Sequence, residues 1–293
     1  MPRTKKIVIL KAKIEASFSA SSIKAFNTAQ LTDFYVEHWD KWGLPKSQPI
    51  TGLTQFLINA SQLREVTLAS ENYGSIKRYA WGSPSPYAIA LTIKNKPYLT
   101  HGSAVFLHNL TDDLPKTVYL NYEQSPKPQN KSTLEQANIN RAFANQQRRS
   151  NLIYEYDDYK IVVINGKHTG KLEVSPIVAS SGETLDVTRL ERTLIDITVR
   201  PAYAGGVVQV LEAFRRAKEN ISVNTLVATL KKLNYLYPYH QPIGFYMERA
   251  GYDESQCSKL LKLGAEFDFY LAHALPTSKQ YNEKWRLFYP DSF

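Results

Sequence analysis

Apolar and aromatic residues recur at helical spacing early in the chain and then give way to short alternating runs. From Ile23 to Trp42, Phe26, Leu31, Phe34, Tyr35, His38 and Trp42 recur at three and four, predicting one or two helices ended by Gly43 and Pro45. After the polar turn 45–49, Ile50, Leu53, Phe56, Leu57, Ala60 and Leu63 mark a second amphipathic helix, which leaves Thr54, Gln55, Asn59 and Gln62 on its other faces. Two extended runs follow, 64–69 and 75–81, joined by Ser70-Glu71-Asn72-Tyr73-Gly74. Helix, helix, hairpin is the order of a winged helix-turn-helix. Its second helix would read base edges in the major groove, while Arg64, Lys77 and Arg78 on the hairpin would meet phosphates.

Further along, Ser83-Pro84-Ser85-Pro86 starts a short helix over 87–92. Residues 98–110 read as a strand leading into a helix, 117–122 as a strand, 124–131 as an exposed loop and 134–149 as a polar helix. Asn165-Gly166 between the runs 154–164 and 168–178 predicts a type I′ hairpin. Helical segments are expected at 207–218, 222–233, 242–251 and 253–262, with strand-like alternation at 267–272 and 285–289. The expected class is α+β: a winged-helix domain with a basic N-terminal arm over residues 1–95, then a mixed α/β domain over 96–293.

Charge sharpens this division. Of 36 Lys+Arg and 27 Asp+Glu, residues 1–150 hold 19 against 10 and residues 151–293 hold 17 against 17, so the whole +9 excess lies in the first half. A polyanion such as DNA is a natural partner for that half, because neutralised phosphates release condensed counterions. Cys257 is the single cysteine, which excludes an intramolecular disulfide and a cysteine-based zinc site and fits a reducing, cytoplasmic setting. No apolar run of about 18 residues predicts a membrane span.

Candidate chemistry is sparse. Asp158-Tyr159-Lys160 has the acid-x-Lys form by which metal-dependent nucleases activate water, with Glu155 or Asp157 as a further carboxylate; solvated charges at a hairpin are the alternative. His101 and His108 lie seven apart, two helical turns, but lack the i, i+4 spacing and the glutamate of a helical zinc site. No nucleophile elbow, Walker A lysine or dinucleotide fingerprint is present, so no cofactor, metal site or catalytic residue is assigned. The stretch LERTLIDITVRPAYAGG, residues 190–206, concentrates charge and turn signals. Thr188 and Glu191 have capping-box spacing, Arg192 and Asp196 stand four apart, Pro201 stops the helix after Arg200, and Gly205-Gly206 permit a bend beyond Tyr203. This reads as a helix-to-helix corner rather than a catalytic cluster.

The same stretch, Glu191-Arg192-Thr193-Leu194-Ile195-Asp196 followed by Arg200-Pro201, Tyr203 and Gly205-Gly206, resembles the signature of AbiEi-type antitoxins of bacterial type IV toxin–antitoxin pairs. The runs 98–108, 116–121 and 243–246 and the end Lys284-Trp-Arg-Leu-Phe-Tyr-Pro290 match as well, so the resemblance extends from about Pro49 to the C-terminus. It implies a winged helix that binds operator DNA and represses its own operon, joined to a C-terminal α/β domain. It further implies a nucleotidyltransferase toxin of the AbiEii type as the antagonised partner, without requiring direct contact. Residues 1–25 do not match, and an added strand or basic arm is expected there. A metal-dependent nuclease using Asp158 and Lys160 and a non-catalytic interaction protein in phage defence remain the alternatives.

Overall fold

The computed structural model describes residues 6–128 and 133–293. The first core is built by α1 (Lys6–Ile9), α2 (Lys11–Ala20), β1 (Ala25–Phe26), α3 (Thr28–Trp42), α4 (Ile50–Ala60) and the hairpin β2 (Leu63–Leu68) and β3 (Ile76–Trp81). Asn27 starts α3 with a capping box, its side chain accepting the Gln30 N–H while the Gln30 side chain accepts the Asn27 N–H. Gly43, at φ +77, ends the helix in the left-handed conformation that a Cβ disfavours. The stripe Leu31, Phe34, Tyr35 and Trp42 is buried against Leu53 and Leu57 of α4. β1 pairs antiparallel with β3, giving the sheet order β1-β3-β2.

The expected arm or strand over residues 1–25 is instead helical from Lys6, with residues 1–5 outside the described part of the chain. Ile14 and Phe18 of α2 are buried in the first core; Phe18 stacks on Trp81 at 4.3 Å between ring centres, and Trp42 Nε1 donates to Ser17 Oγ at 2.8 Å. The segment is weakly amphipathic, so periodicity alone does not reveal it; the aromatic rings that cover Phe18 come from later elements.

The second core surrounds a six-stranded sheet. It is assembled from α5 (Pro86–Ala90), β4 (Tyr98–Leu99), α6 (His101–Leu107), β5 (Thr117–Glu123), β6 (Ile153–Tyr156), β7 (Tyr159–Gly166), β8 (Val174–Val178) and β9 (Thr184–Thr188), in the strand order β6-β7-β5-β4-β9-β8; α7 (Gln136–Ala144) lies between β5 and β6 in the chain, but its Ile139 and Phe143 are buried in the third, helical core. The pairs β5–β7 and β4–β9 are parallel and the rest antiparallel. Ser85 caps α5 with Pro86 at its first position, as the sequence predicts. The side chains of α5 belong to this central core, so the boundary expected near residue 95 falls beyond the last element of the first core, β3. Of the expected loop 124–131, residues 129–131 lie outside the described residues.

The hairpin expected around Asn165-Gly166 does not form there. β7 turns instead from β6 at Asp157-Asp158, with Asp157 at φ +48, and Asn165-Gly166 pairs in parallel with Tyr122 and Glu123 of β5. Gly166 serves close approach rather than a turn: its N–H donates to Asn121 Oδ1 at 2.8 Å, and a Cβ there would lie 2.5 Å from that oxygen. Strand β8 lies on the opposite edge, beyond β9.

The third core is helical. α8 (Leu190–Val199), a 3₁₀ turn at Pro201–Tyr203, α9 (Val207–Ala217), α10 (Val223–Leu233), α11 (His240–Arg249) and α12 (Glu254–Leu261) pack with a small sheet of β10 (Phe269–Tyr270), β11 (Lys279–Asn282) and β12 (Leu287–Pro290). Cys257 is buried here as a free thiol, and burial pushes its pKa up. The fold is α+β, and no helix of the described residues is long and apolar enough to cross a membrane.

Candidate functional site

The polar residues of α4 divide between two environments. Gln55 and Asn59 are exposed one turn apart and joined by a 2.9 Å bond from Gln55 Nε2 to Asn59 Oδ1; Gln62 is exposed just beyond the helix. Thr54 faces inward, donating to the Ile50 carbonyl at 3.0 Å and lying 3.3 Å from the Tyr35 hydroxyl. Burial pushes that tyrosine's pKa up, so it stays neutral. The exposed edge of α4 is therefore amide-rich and uncharged. Its nearest cation in sequence on the N-terminal side is the exposed Lys46 in the turn before it, where the flanking Pro45 and Pro49 give no periodic signal of its placement.

The hairpin has two unlike faces, because alternate strand residues point to opposite sides. Arg64, Val66 and Leu68 share one face, on which Val66 and Leu68 are buried in the central core. Arg78, paired with Val66, lies on this face too, and its guanidinium donates to the Thr92 and Lys77 carbonyls at 3.0 and 2.7 Å. Arg64 is exposed at the rim and donates to the Gly82 carbonyl at 3.0 Å. Lys77, paired with Thr67, is on the opposite and open face, 2.8 Å from Glu65. The hydrogen bond to Glu65, backed by its charge, raises the Lys77 pKa. All three cations are alike in sequence; packing of one hairpin face onto the sheet separates them. The loop end of the hairpin is also fixed, since Ala69 and Glu155 exchange backbone hydrogen bonds of 3.1 and 2.7 Å.

The acid-x-Lys triplet sits on the exposed β6–β7 hairpin. Asp158 is 86% exposed and 3.6 Å from Lys116, while Glu155 and Lys160 face each other across the ladder. Among the described residues no group of three or more His, Cys, Asp or Glu side chains is placed to hold a metal. His101 and His108 are separated in role: His101 is buried at the start of α6, and His108 Nε2 lies 2.7 Å from the Thr188 carbonyl.

The stretch 190–206 forms a corner in which α8 leads through Pro201–Tyr203 into α9. The capping box expected from Thr188 and Glu191 is not made, because Thr188 ends β9 and bonds to Thr193, while Glu191 accepts the Ser222 N–H at 2.9 Å. Arg192 and Asp196 are both buried and 2.8 Å apart. Burial works against the Arg192 charge, but the Asp196 carboxylate together with Tyr235 and Tyr98 holds its pKa up. Tyr203 accepts the Ser150 N–H at 2.7 Å, and Arg200 lies over the Tyr203 ring. Gly205 and Gly206 adopt φ +85 and +99, the region that requires glycine before α9.

No family model and no curated protein matches the chain. Its fold is similar to the crystal structure of the RV2827C protein from Mycobacterium tuberculosis, with a TM-score of 0.56 and 13% identity over 96% of this chain and 91% of that chain. At this identity the likeness is one of fold alone.

Proposed function

We propose that the chain is a DNA-binding transcriptional regulator of the antitoxin kind, non-catalytic and cytoplasmic, with a winged helix-turn-helix formed by α2, β1, α3, α4, β2 and β3. The observation that carries this reading is the exposed pair Gln55 and Asn59 on α4, held on a helix that follows another helix and precedes a hairpin. Amide side chains of this kind make paired hydrogen bonds to adenine edges. The basic balance of the first half supports it, and Lys46, Arg64 and Lys77 supply cations on either side of the helix. Lys77 is not withheld by Glu65, since an exposed ion pair is worth little and opens readily for a phosphate.

Repression of its own operon and antagonism of a nucleotidyltransferase toxin rest on the resemblance of residues 190–206 to AbiEi-type antitoxins. Gel-shift titration on the DNA upstream of the gene, at two salt concentrations, tests the regulator reading. Salt-sensitive retention that weakens in Gln55→Ala/Asn59→Ala supports it; absence of retention, or identical behaviour of the variant, overturns it. Magnesium-dependent cleavage lost in Lys160→Ala would establish the nuclease instead.

A further inference from the structure

Behind the α8 corner lies a partly open cleft of about 80 Å³, lined among others by His101, Lys167, Arg192, Asp196, Arg200 and Tyr235. Three permanent cations, Lys167, Arg192 and Arg200, face a single carboxylate, Asp196, which leaves an excess of two positive charges (three minus one). His101 adds none: desolvation holds its pKa down to about 4, against the pull of Asp196. The volume holds several waters, the scale of a phosphate group.

The hydrogen bonds show which charges are already answered. Asp196 is occupied on both oxygens, by Arg192 Nε at 2.8 Å and by the Thr100 hydroxyl at 3.1 Å. Arg192 spans to the Leu172 carbonyl at 3.0 Å, and Lys167 to the carbonyls of Leu233 and Asn234 at 2.7 and 2.8 Å. Arg200 makes no side-chain hydrogen bond or ion pair among the described residues; its guanidinium lies over the Tyr203 ring, 5.9 Å from the ring centre. The half-buried Arg200 guanidinium thus borders a cationic cleft with all of its side-chain donors free.

The surroundings are held in place. Glu123 accepts the backbone N–H groups of Thr169, Gly170 and Lys171 at 2.9 to 3.1 Å, pinning the loop that carries Lys167 beside the cleft. His101 adopts φ +48, a left-handed conformation that a non-glycine residue keeps only where its surroundings impose it.

We propose that this cleft binds the phosphate group of a small phosphate monoester, with Arg200 and the remaining donors of Arg192 as its charge-assisted partners and Lys167 as a supporting cation. The site is separate from α4, so it stands or falls independently of the DNA reading.

Titration of the full chain with inorganic phosphate at constant ionic strength, followed by amide NMR, tests it. The expected result is saturable shifts at residues 100–102, 166–168 and 200. Binding should weaken at least tenfold in Arg200→Gln and stay unchanged in Lys232→Gln, an exposed charge control on α10. Arg200→Lys, which keeps the charge and loses the planar fork, should fall between. Shifts confined to the basic first half, shifts that do not saturate, or equal weakening by Lys232→Gln overturn the proposal. The wild-type shift map decides the matter even if an Arg200 variant does not fold.

Discussion

Arg192 and Asp196, one helical turn apart on α8, form an ion pair of 2.8 Å in which both residues are about 95% removed from solvent. The Thr100 hydroxyl and the Leu172 carbonyl, from remote parts of the chain, complete its hydrogen bonding. An exposed i, i+4 pair stabilises a helix by only about 0.2–0.5 kcal/mol. A buried pair is different in kind, because removing one partner strands the other charge away from water.

Arg192→Ala and Asp196→Ala are therefore each expected to lower stability by about 3–5 kcal/mol. The double variant Arg192→Met/Asp196→Leu should recover most of that loss. Urea denaturation of the four proteins measures it; two small and additive single effects would show that the pair is not coupled.

On the DNA-binding function proposed above, Gln55→Ala and Asn59→Ala at the α4 edge are each expected to cost about 1–3 kcal/mol in operator binding and to relax base preference at one position. Lys77→Ala should weaken binding to all sequences alike and lower the salt slope by about one. Thr54→Ala should act on stability, since Thr54 is turned toward Tyr35. Binding isotherms at several salt concentrations separate these three outcomes.

His101 gives a pH dependence of definite sign. Burial, helped by Arg200 and Arg192 and opposed by Asp196, lowers its pKa from 6.5 to about 4. The unfolded chain then binds the extra proton first, so this contribution to stability is intact above pH 6.5 and is lost as pH falls toward 4. Its full size is about 3 kcal/mol, from the shift at 1.36 kcal/mol per unit. Denaturation midpoints between pH 4 and 7 should fall with acid in the wild type and flatten in His101→Asn, a residue that tolerates the left-handed backbone.

Gly244 of α11 packs directly on the buried Trp285 ring, into which a Cβ would intrude. Gly244→Ala should destabilise by about 1–3 kcal/mol through overpacking, despite the better helix propensity of alanine. The near-ultraviolet circular dichroism of the tryptophans should change with it.

In the first core, Phe18→Ala should cost about 3–5 kcal/mol. A loss below 1 kcal/mol on thermal or urea unfolding would mean that α2 is a detachable arm.

Much of the element order is legible in the residues themselves. The helices from Val207 to Leu261 start and end at signals carried within a few positions, such as the Asp253–Gln256 capping box that opens α12 and Asn234 at φ +46 that closes α10. Ser85-Pro86 and Gly43 are read in the same way. The face of α4 is legible too, because its buried Leu53 and Leu57 leave Gln55 and Asn59 outward by spacing alone.

Signals that need a partner are not. Asn165-Gly166 has the chemistry of a turn, yet it is drawn into a parallel ladder by Tyr122 and Glu123, more than 40 positions earlier. Arg78 and Lys77 are adjacent and alike in sequence, and the central sheet beneath the hairpin is what gives one to backbone carbonyls and the other to solvent. Helix periodicity and caps depend on near neighbours, so the chain by itself determines the helices beyond α2 and the polar edge of α4. Strand pairing, burial and the exposure of a charge depend on which distant segment covers it. Only the assembled fold therefore turns Arg192 and Asp196 from a surface pair into a buried one and leaves Arg200 beside them, facing the cleft.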